Sequence, residues 1–339
     1  MICKEVLIIM KKNQKDILLQ DWLDTWYEIY AKPFVKKSTL VSYECYIRLH
    51  IKPYIGNIKL CDFNTMTFQR FFNQQFQNGS CKGTALSPKT IYNLRMMLHE
   101  AIGDAVKNDL MKCNYIEYVK LPKLQKEDQR VLTKKEQAKL LTTLKASDDP
   151  FAFGVFFCLA TGIRLGELCG LRWSDFSEHN GKVTVHIQRT LNRIPDLEKG
   201  TGTIINISAP KTKAANRIIP LNQTVVEFLK KHWMKQTELL GKEYATGDHY
   251  VLSRIPNKPV EPKFMQMRFK RFLCESHITD ANFHALRHTF ATRALEANVD
   301  YKTLSVLLGH ANVTTTMNLY QHILLDQKIV AMEKILQQF

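Results

Sequence analysis

A chain of 339 residues, 45% of them hydrophobic, is long enough to bury two separate cores. Its 48 Lys and Arg against 32 Asp and Glu leave a formal charge of +16, which points to a polyanionic partner, nucleic acid ahead of a membrane surface. The eight cysteines form no Cys-x-x-Cys pair and no apolar run approaches the ~20 residues of a membrane span, which argues against a zinc knuckle, a redox pair or an anchored protein.

Val6–Met10 is too short and too closely flanked by lysines for a signal peptide. With scattered cysteines suited to reduced thiols, the expected location is cytoplasmic. Residues 16–30 place Leu18, Trp22, Trp26, Ile29 and Tyr30 on one helical stripe that Pro33 ends. Ser38 or Thr39 can cap a second helix running to Pro53. Thr65 opens a third, with Phe68, Phe71, Phe72 and Phe76 facing inward and Asn78-Gly79 as its stop. Ser87-Pro88 is a hydroxyl cap followed by proline at the first helical position, and helical spacing continues to about 108. Residues 14–112 thus read as a four-helix unit. At or near two of its helix starts lie Lys36, Lys37, Thr39, Lys89 and Asn93, placed for phosphate contact. Residues 113–131 form a polar, basic linker in which Lys120 and Lys123 can follow a row of phosphates.

A second unit is expected over 132–322. Thr133 and Glu136 make a capping box. Residues 150–161 are apolar nearly all round and belong in a core. In Thr161–Leu168, Arg164 stands between glycines at a helix start, with Glu167 one turn on to orient its guanidinium. Residues 182–190, 203–209 and 217–220 read as strands, and the loop 210–216 between the last two, carrying Lys211, reads as a hairpin. Amphipathic helices follow at 222–240 and 261–276. A C-terminal helix at 323–339, with Ile329, Met332, Leu336 and Phe339 in one stripe, suits packing on a neighbour in cis or in trans. The fold class is therefore mainly α with a small antiparallel sheet in the second domain, α+β, in two domains expected to clamp DNA.

The stretch 284–320 concentrates groups able to serve phosphoryl chemistry. His284 and Arg287 are three residues apart and share a helix face. Gly309 stops a helix and leaves His310 at a turn; Asn312 or Thr314 can cap a further helix carrying Tyr320. His288 has zinc-ligand spacing from His284, but HALRH lacks the glutamate of HExxH and a third ligand, so His288 reads as structural.

The ordered phrases TGIRLGEL, PKTKAANRIIPL, FHALRHTFAT and LLGHANVTTTMNLYQH resemble the tyrosine recombinase (phage integrase) family, in particular integrases of conjugative transposons and temperate phages. The likeness covers roughly 130–322 throughout and the four-helix unit more loosely. It implies a site-specific recombinase that cleaves and rejoins double-stranded DNA through a 3′-phosphotyrosyl intermediate, with no metal, cofactor or ATP. Tyr320 would be the nucleophile. Arg164 and Arg287 would hold the non-bridging oxygens with paired donors. The resemblance makes Lys211 the acid for the departing 5′-hydroxyl, His284 the proton-handling base and His310 a donor to the phosphate. It also implies a homo-tetramer on paired sites, with an accessory bending or excision factor as a further partner. Few residues precede the first helical unit, so either the sites are simple or an arm-binding domain lies outside this chain. The competing readings are a DNA-binding regulator that keeps the fold without cleaving, a type IB topoisomerase-like enzyme and a metal-dependent nuclease.

Overall fold

The computed structural model describes residues 16–80, 83–124, 129–210 and 212–319, with 332, 333, 335 and 336 near the C-terminus. The chain divides into two compact units, residues 1–127 with 197–201, and 128–196 with 202–339. The architecture is α+β. Among the described residues no helix is long and apolar enough to cross a membrane.

The first unit is helical. It comprises α1 (Leu19–Trp26), α2 (Lys37–Cys45), α3 (Lys52–Ile55), α4 (Thr65–Asn78) and α5 (Pro88–Lys107). Indole N–H groups tie α1 to α5: Trp22 Nε1 donates to the Ala101 carbonyl and Trp26 Nε1 to Asp104 Oδ2, both at 2.9 Å. Ser87 Oγ accepts from the Thr90 N–H at 3.1 Å with Pro88 at the first turn, so α5 starts where a cap followed by proline should start it.

Three local expectations are corrected. Neither Ser38 nor Thr39 caps α2; the helix begins at Lys37, Lys36 is its extended N-cap residue, and no side chain caps it. Pro53 does not end that run. A wide π turn over Tyr46–Ile51 leads into α3, which carries Pro53 near its start. The missing N–H and the ring of proline disturb the ordinary i→i−4 ladder, and a wide turn absorbs the fault. On α4, Phe76 is 38% exposed and Gln75 takes the inward place, its Oε1 3.2 Å from His50 Nδ1. Seven residues return a helix almost to the phase of Phe68, whereas eight overshoot it.

The second unit contains α6 (Lys134–Ala146), α7 (Ala152–Thr161), α8 (Leu165–Cys169), α9 (Gln223–Leu240), α10 (Pro262–Glu275), α11 (His284–Glu296), α12 (Tyr301–Leu308) and α13 (Val313–Leu319). Its strands are β1 (Phe176–His179), β2 (Lys182–Ile187), β3 (Thr190–Pro195), β4 (Thr203–Ser208), β5 (Arg217–Pro220), β6 (Ser253–Ile255) and β7 (Lys258–Pro259). The capping box on α6 is present, with Thr133 Oγ1 accepting from Glu136 N–H at 3.2 Å and Glu136 Oε2 accepting from Thr133 N–H at 2.8 Å. All but the last-turn Ala160 of α7 is buried, so this helix is the axis of the core, as its unbroken apolar run requires. Leu132 anchors the chain to α11: its N–H donates to Thr289 Oγ1 at 2.9 Å and its carbonyl accepts from Arg293 Nη2 at 2.6 Å.

Strand pairing overturns the hairpin expected around Lys211. β4 pairs with β3 in a two-stranded ribbon, while β5 pairs antiparallel with β2 in a sheet ordered β1-β2-β5. The loop 210–216 therefore joins two sheets. Alternation identifies strands but says nothing about which neighbour each one finds.

Candidate active site

Two helix ends and two helix starts build the site. α7 ends at Gly162 in the left-handed region (φ 67°), and its N–H returns to the Cys158 carbonyl at 2.9 Å. Arg164 follows in extended conformation as the N-cap residue of α8. Its backbone N–H donates to Glu167 Oε2 and its Nη1 to Glu167 Oε1, both at 2.9 Å. α12 ends at Gly309 (φ 66°) with Gly309 N–H on the Val306 carbonyl and His310 N–H on the Ser305 carbonyl, each at 3.0 Å. This paired closure is the Schellman form, and it sets His310 at the turn. α11 opens at His284 and carries Arg287 one turn later.

The two arginines converge on one carbonyl. Arg287, 3% exposed, donates from Nη1 to Gly162 O at 2.7 Å and from Nη2 to Leu308 O at 2.8 Å. Arg164 Nη1 reaches the same Leu308 O, and its Nη2 the Gly309 O, both at 3.4 Å. The acceptors are the last carbonyls of α7 and α12, the negative ends of two helices, where a cation is favoured. Arg287 and His284 also line a cavity of about 240 Å³ with Ile163, Leu165, Gln266, Asn282 and Phe283. His284 meets His288 edge-on, ring centroids 4.6 Å apart. His310 Nδ1 lies 2.7 Å from the buried Thr316 hydroxyl on α13.

These imidazoles sit in a positive field. Burial, then Arg287 and Arg164, lowers the His284 pKa. Burial, then Arg287, Arg164 and Arg217, brings His310 down to about 4. Burial, then His284 and Arg287, does the same to His288. At neutral pH each ring is uncharged and offers one donor and one acceptor nitrogen, as proton handling requires. Glu167 is buried, which by itself would raise its pKa; Arg217 and Arg164 outweigh that and lower it.

His232, buried against Phe153 and Trp173, is also held at about 4 by burial. Between an unfolded pKa of about 6.5 and a folded value of about 4, the unfolded chain binds more protons. Stability is therefore fully present above that window and lost as the pH falls through it. The urea-unfolding midpoint is expected to drop steadily from pH 7 to pH 5; a flat midpoint would contradict buried neutral histidines.

Arg164, His284, Arg287 and His310 thus come together. Lys211 and Tyr320 lie outside the described residues; α13 runs to Leu319, the residue before Tyr320. Ile329 and Phe339 of the C-terminal stripe also lie outside them, whereas Met332 and Leu336 are helical and exposed. The DNA-contact candidates all fall in the first unit. Lys36, Lys37, Lys89, Asn93, Lys120 and Lys123 are exposed, and Thr39 is half-buried. Lys89 Nζ lies 5.3 Å from the Tyr92 ring centroid, and the Lys120 N–H donates to Gln69 Oε1 at 2.9 Å.

Sequence reasoning missed Arg217. Its side chain donates from Nε to Leu307 O at 2.6 Å and from Nη2 to Glu167 Oε2 at 3.0 Å. The available signal was strand parity: Arg217 shares its face with buried Ile219, while Ile218 points outward and is 62% exposed.

The phage integrase family matches residues 130–326, and the phage integrase N-terminal SAM-like domain matches 18–76. A XerC-like tyrosine recombinase of Caldanaerobacter subterraneus subsp. tengcongensis is 28% identical over 333 residues, covering 95% of this chain and 83% of the relative. The Tn916 transposase of Enterococcus faecalis is 25% identical over 352 residues, 95% of this chain and 81% of that protein. Among solved structures, the Tn1549 transposon integrase with circular intermediate DNA superposes with a TM-score of 0.71 at 20% identity, covering 90% of this chain and 95% of that one. A lambda integrase tetramer bound to a Holliday junction gives 0.62 at 22% identity, over 93% and 80%. With more than half its length matched by the family model, the chain belongs to the phage integrase family, the tyrosine recombinases that cleave and rejoin DNA.

Proposed function

We propose that this chain is the site-specific recombinase of a mobile genetic element, exchanging DNA strands by transient covalent attachment. Tyr320 Oη attacks the scissile phosphorus and loses its proton, His284 serving as the proton-handling group nearby. The bond from phosphorus to the 5′-oxygen breaks, and Lys211 protonates the leaving alkoxide. Arg164 and Arg287 neutralise the two non-bridging oxygens as charge builds in the pentacoordinate transition state, and His310 donates a further hydrogen bond. The guanidinium forks supply the charge neutralisation that a bound cation could otherwise supply. A 5′-hydroxyl from the partner strand reverses the step. The phosphotyrosine retains the bond energy, so rejoining consumes no ATP.

The observation that carries this reading is the meeting of Arg164 and Arg287 at the Leu308 carbonyl, beside His284 and His310. The first unit, with Lys36, Lys37, Thr39, Lys89 and Asn93, together with Lys120 and Lys123 of the linker, contacts phosphates on the duplex. Two paired sites bring four protomers together, in line with the lambda integrase tetramer. An accessory DNA-bending protein biases the direction toward integration or excision.

The test is a nicked suicide duplex carrying the junction sequence that flanks the element. Cleavage releases a short strand that diffuses away, trapping a protein–DNA adduct stable in SDS. No adduct on the cognate site, with binding intact, would rule the reading out.

A further inference from the structure

Arg217 donates to three segments at once. Its side chain is 3% exposed and faces Glu167, itself 4% exposed. Nη2 donates to Glu167 Oε2 at 3.0 Å and Nη1 to Glu167 Oε1 at 3.3 Å. Those same two oxygens receive the Arg164 side chain and the Arg164 backbone N–H. Nε of Arg217 donates to Leu307 O at 2.6 Å, on the last turn of α12 before His310, and Nη1 donates to Ala215 O at 3.1 Å. The turn at Gly309 packs so closely here that a Cβ on it would fall 2.9 Å from Arg217 Nη1 and 3.1 Å from Ala215 Cα. Both oxygens of Glu167 are thus shared between one arginine that borders the site and one that is buried.

We propose that Arg217 is a positioning residue for strand cleavage: it fixes the Glu167 carboxylate that orients Arg164, and it seats the α12 end that presents His310. It touches no reacting atom. A lone carboxylate can rotate about its last torsion; clamped from one side by two N–H groups, it offers Arg164 one orientation only. The inference rests on the reading of Arg164 as a phosphate clamp.

The test measures single-turnover cleavage by the full chain on two suicide duplexes. One has the natural scissile phosphate; the other has a neutral methylphosphonate, which removes one non-bridging charge and with it much of the demand for an aligned guanidinium. Arg217→Lys keeps a cation beside Glu167 but cannot span its partners. It is expected to cleave the natural phosphate about a hundredfold more slowly, the scale of an ångström-sized misplacement, and to lose most of that deficit on the methylphosphonate. Arg164→Ala should behave the same way. An Arg217→Lys deficit equal on both substrates, or no deficit at all, overturns the inference while leaving the clamp in place. If Arg164→Ala keeps its full deficit on the methylphosphonate, the clamp reading falls, and the inference with it. Should Arg217→Lys fail to fold, Glu167→Gln with Arg217→Gln removes both buried charges together and is judged by the same ratio.

Discussion

Tyr320→Phe is expected to bind the cognate duplex as the parent does and to form no covalent adduct. The substitution removes one oxygen and keeps the ring. The lost oxygen is the only atom proposed to bond to phosphorus, and removing a covalent nucleophile costs on the order of 10⁶-fold in rate. SDS gels of the trapped adduct and a parallel gel-shift titration measure the two quantities separately. An adduct that persists in Tyr320→Phe would place the nucleophile on another side chain and dissolve the assigned order of groups.

Arg287→Lys should separate binding from chemistry in the same way. The guanidinium spans the Gly162 and Leu308 carbonyls from two different nitrogens, at 2.7 and 2.8 Å. An ammonium is a single point of charge and cannot make that span while also presenting a paired donor to phosphate. Cleavage is expected to fall by about 10²–10³-fold, the scale of losing one aligned donor at a developing charge. One helix-end carbonyl is also left without its donor, at a cost of about 1–3 kcal/mol in folding. Duplex affinity should change little, because Arg287 is buried and the lysines proposed to contact phosphates lie in the other unit. Parallel losses of affinity and cleavage would contradict the clamp.

How much of this could be read from the residues alone depends on the range of the interaction. Helix starts and stops were legible because their causes are local: Ser87-Pro88, the box at Thr133 and Glu136, and the glycine after Leu308 each act within a few residues. His284 and Arg287 were legible as a pair for the same reason. Pairing across sheets was not. The loop of Lys211 looks like a hairpin in sequence, yet its flanking strands belong to different sheets, a choice made by tertiary packing. Gln75 displaced Phe76 from the core of the first unit because helical phase, and a partner in His50, outweighed hydrophobicity. Arg217 escaped notice because its worth lies in contacts to residues 50 and 90 positions away, Glu167 and Leu307.

The closure of two helices on Arg287 has a consequence for turnover. A guanidinium facing bare solvent would wander whenever the DNA departed, and each strand exchange would begin with a search for its rotamer. Here the carbonyls of Gly162 and Leu308 each accept an N–H of Arg287, so the protein's own backbone fixes the side chain proposed to meet the phosphate. Recombination demands cleavage and then its reversal by a different strand, and a guanidinium anchored by backbone carbonyls would keep one geometry through both steps.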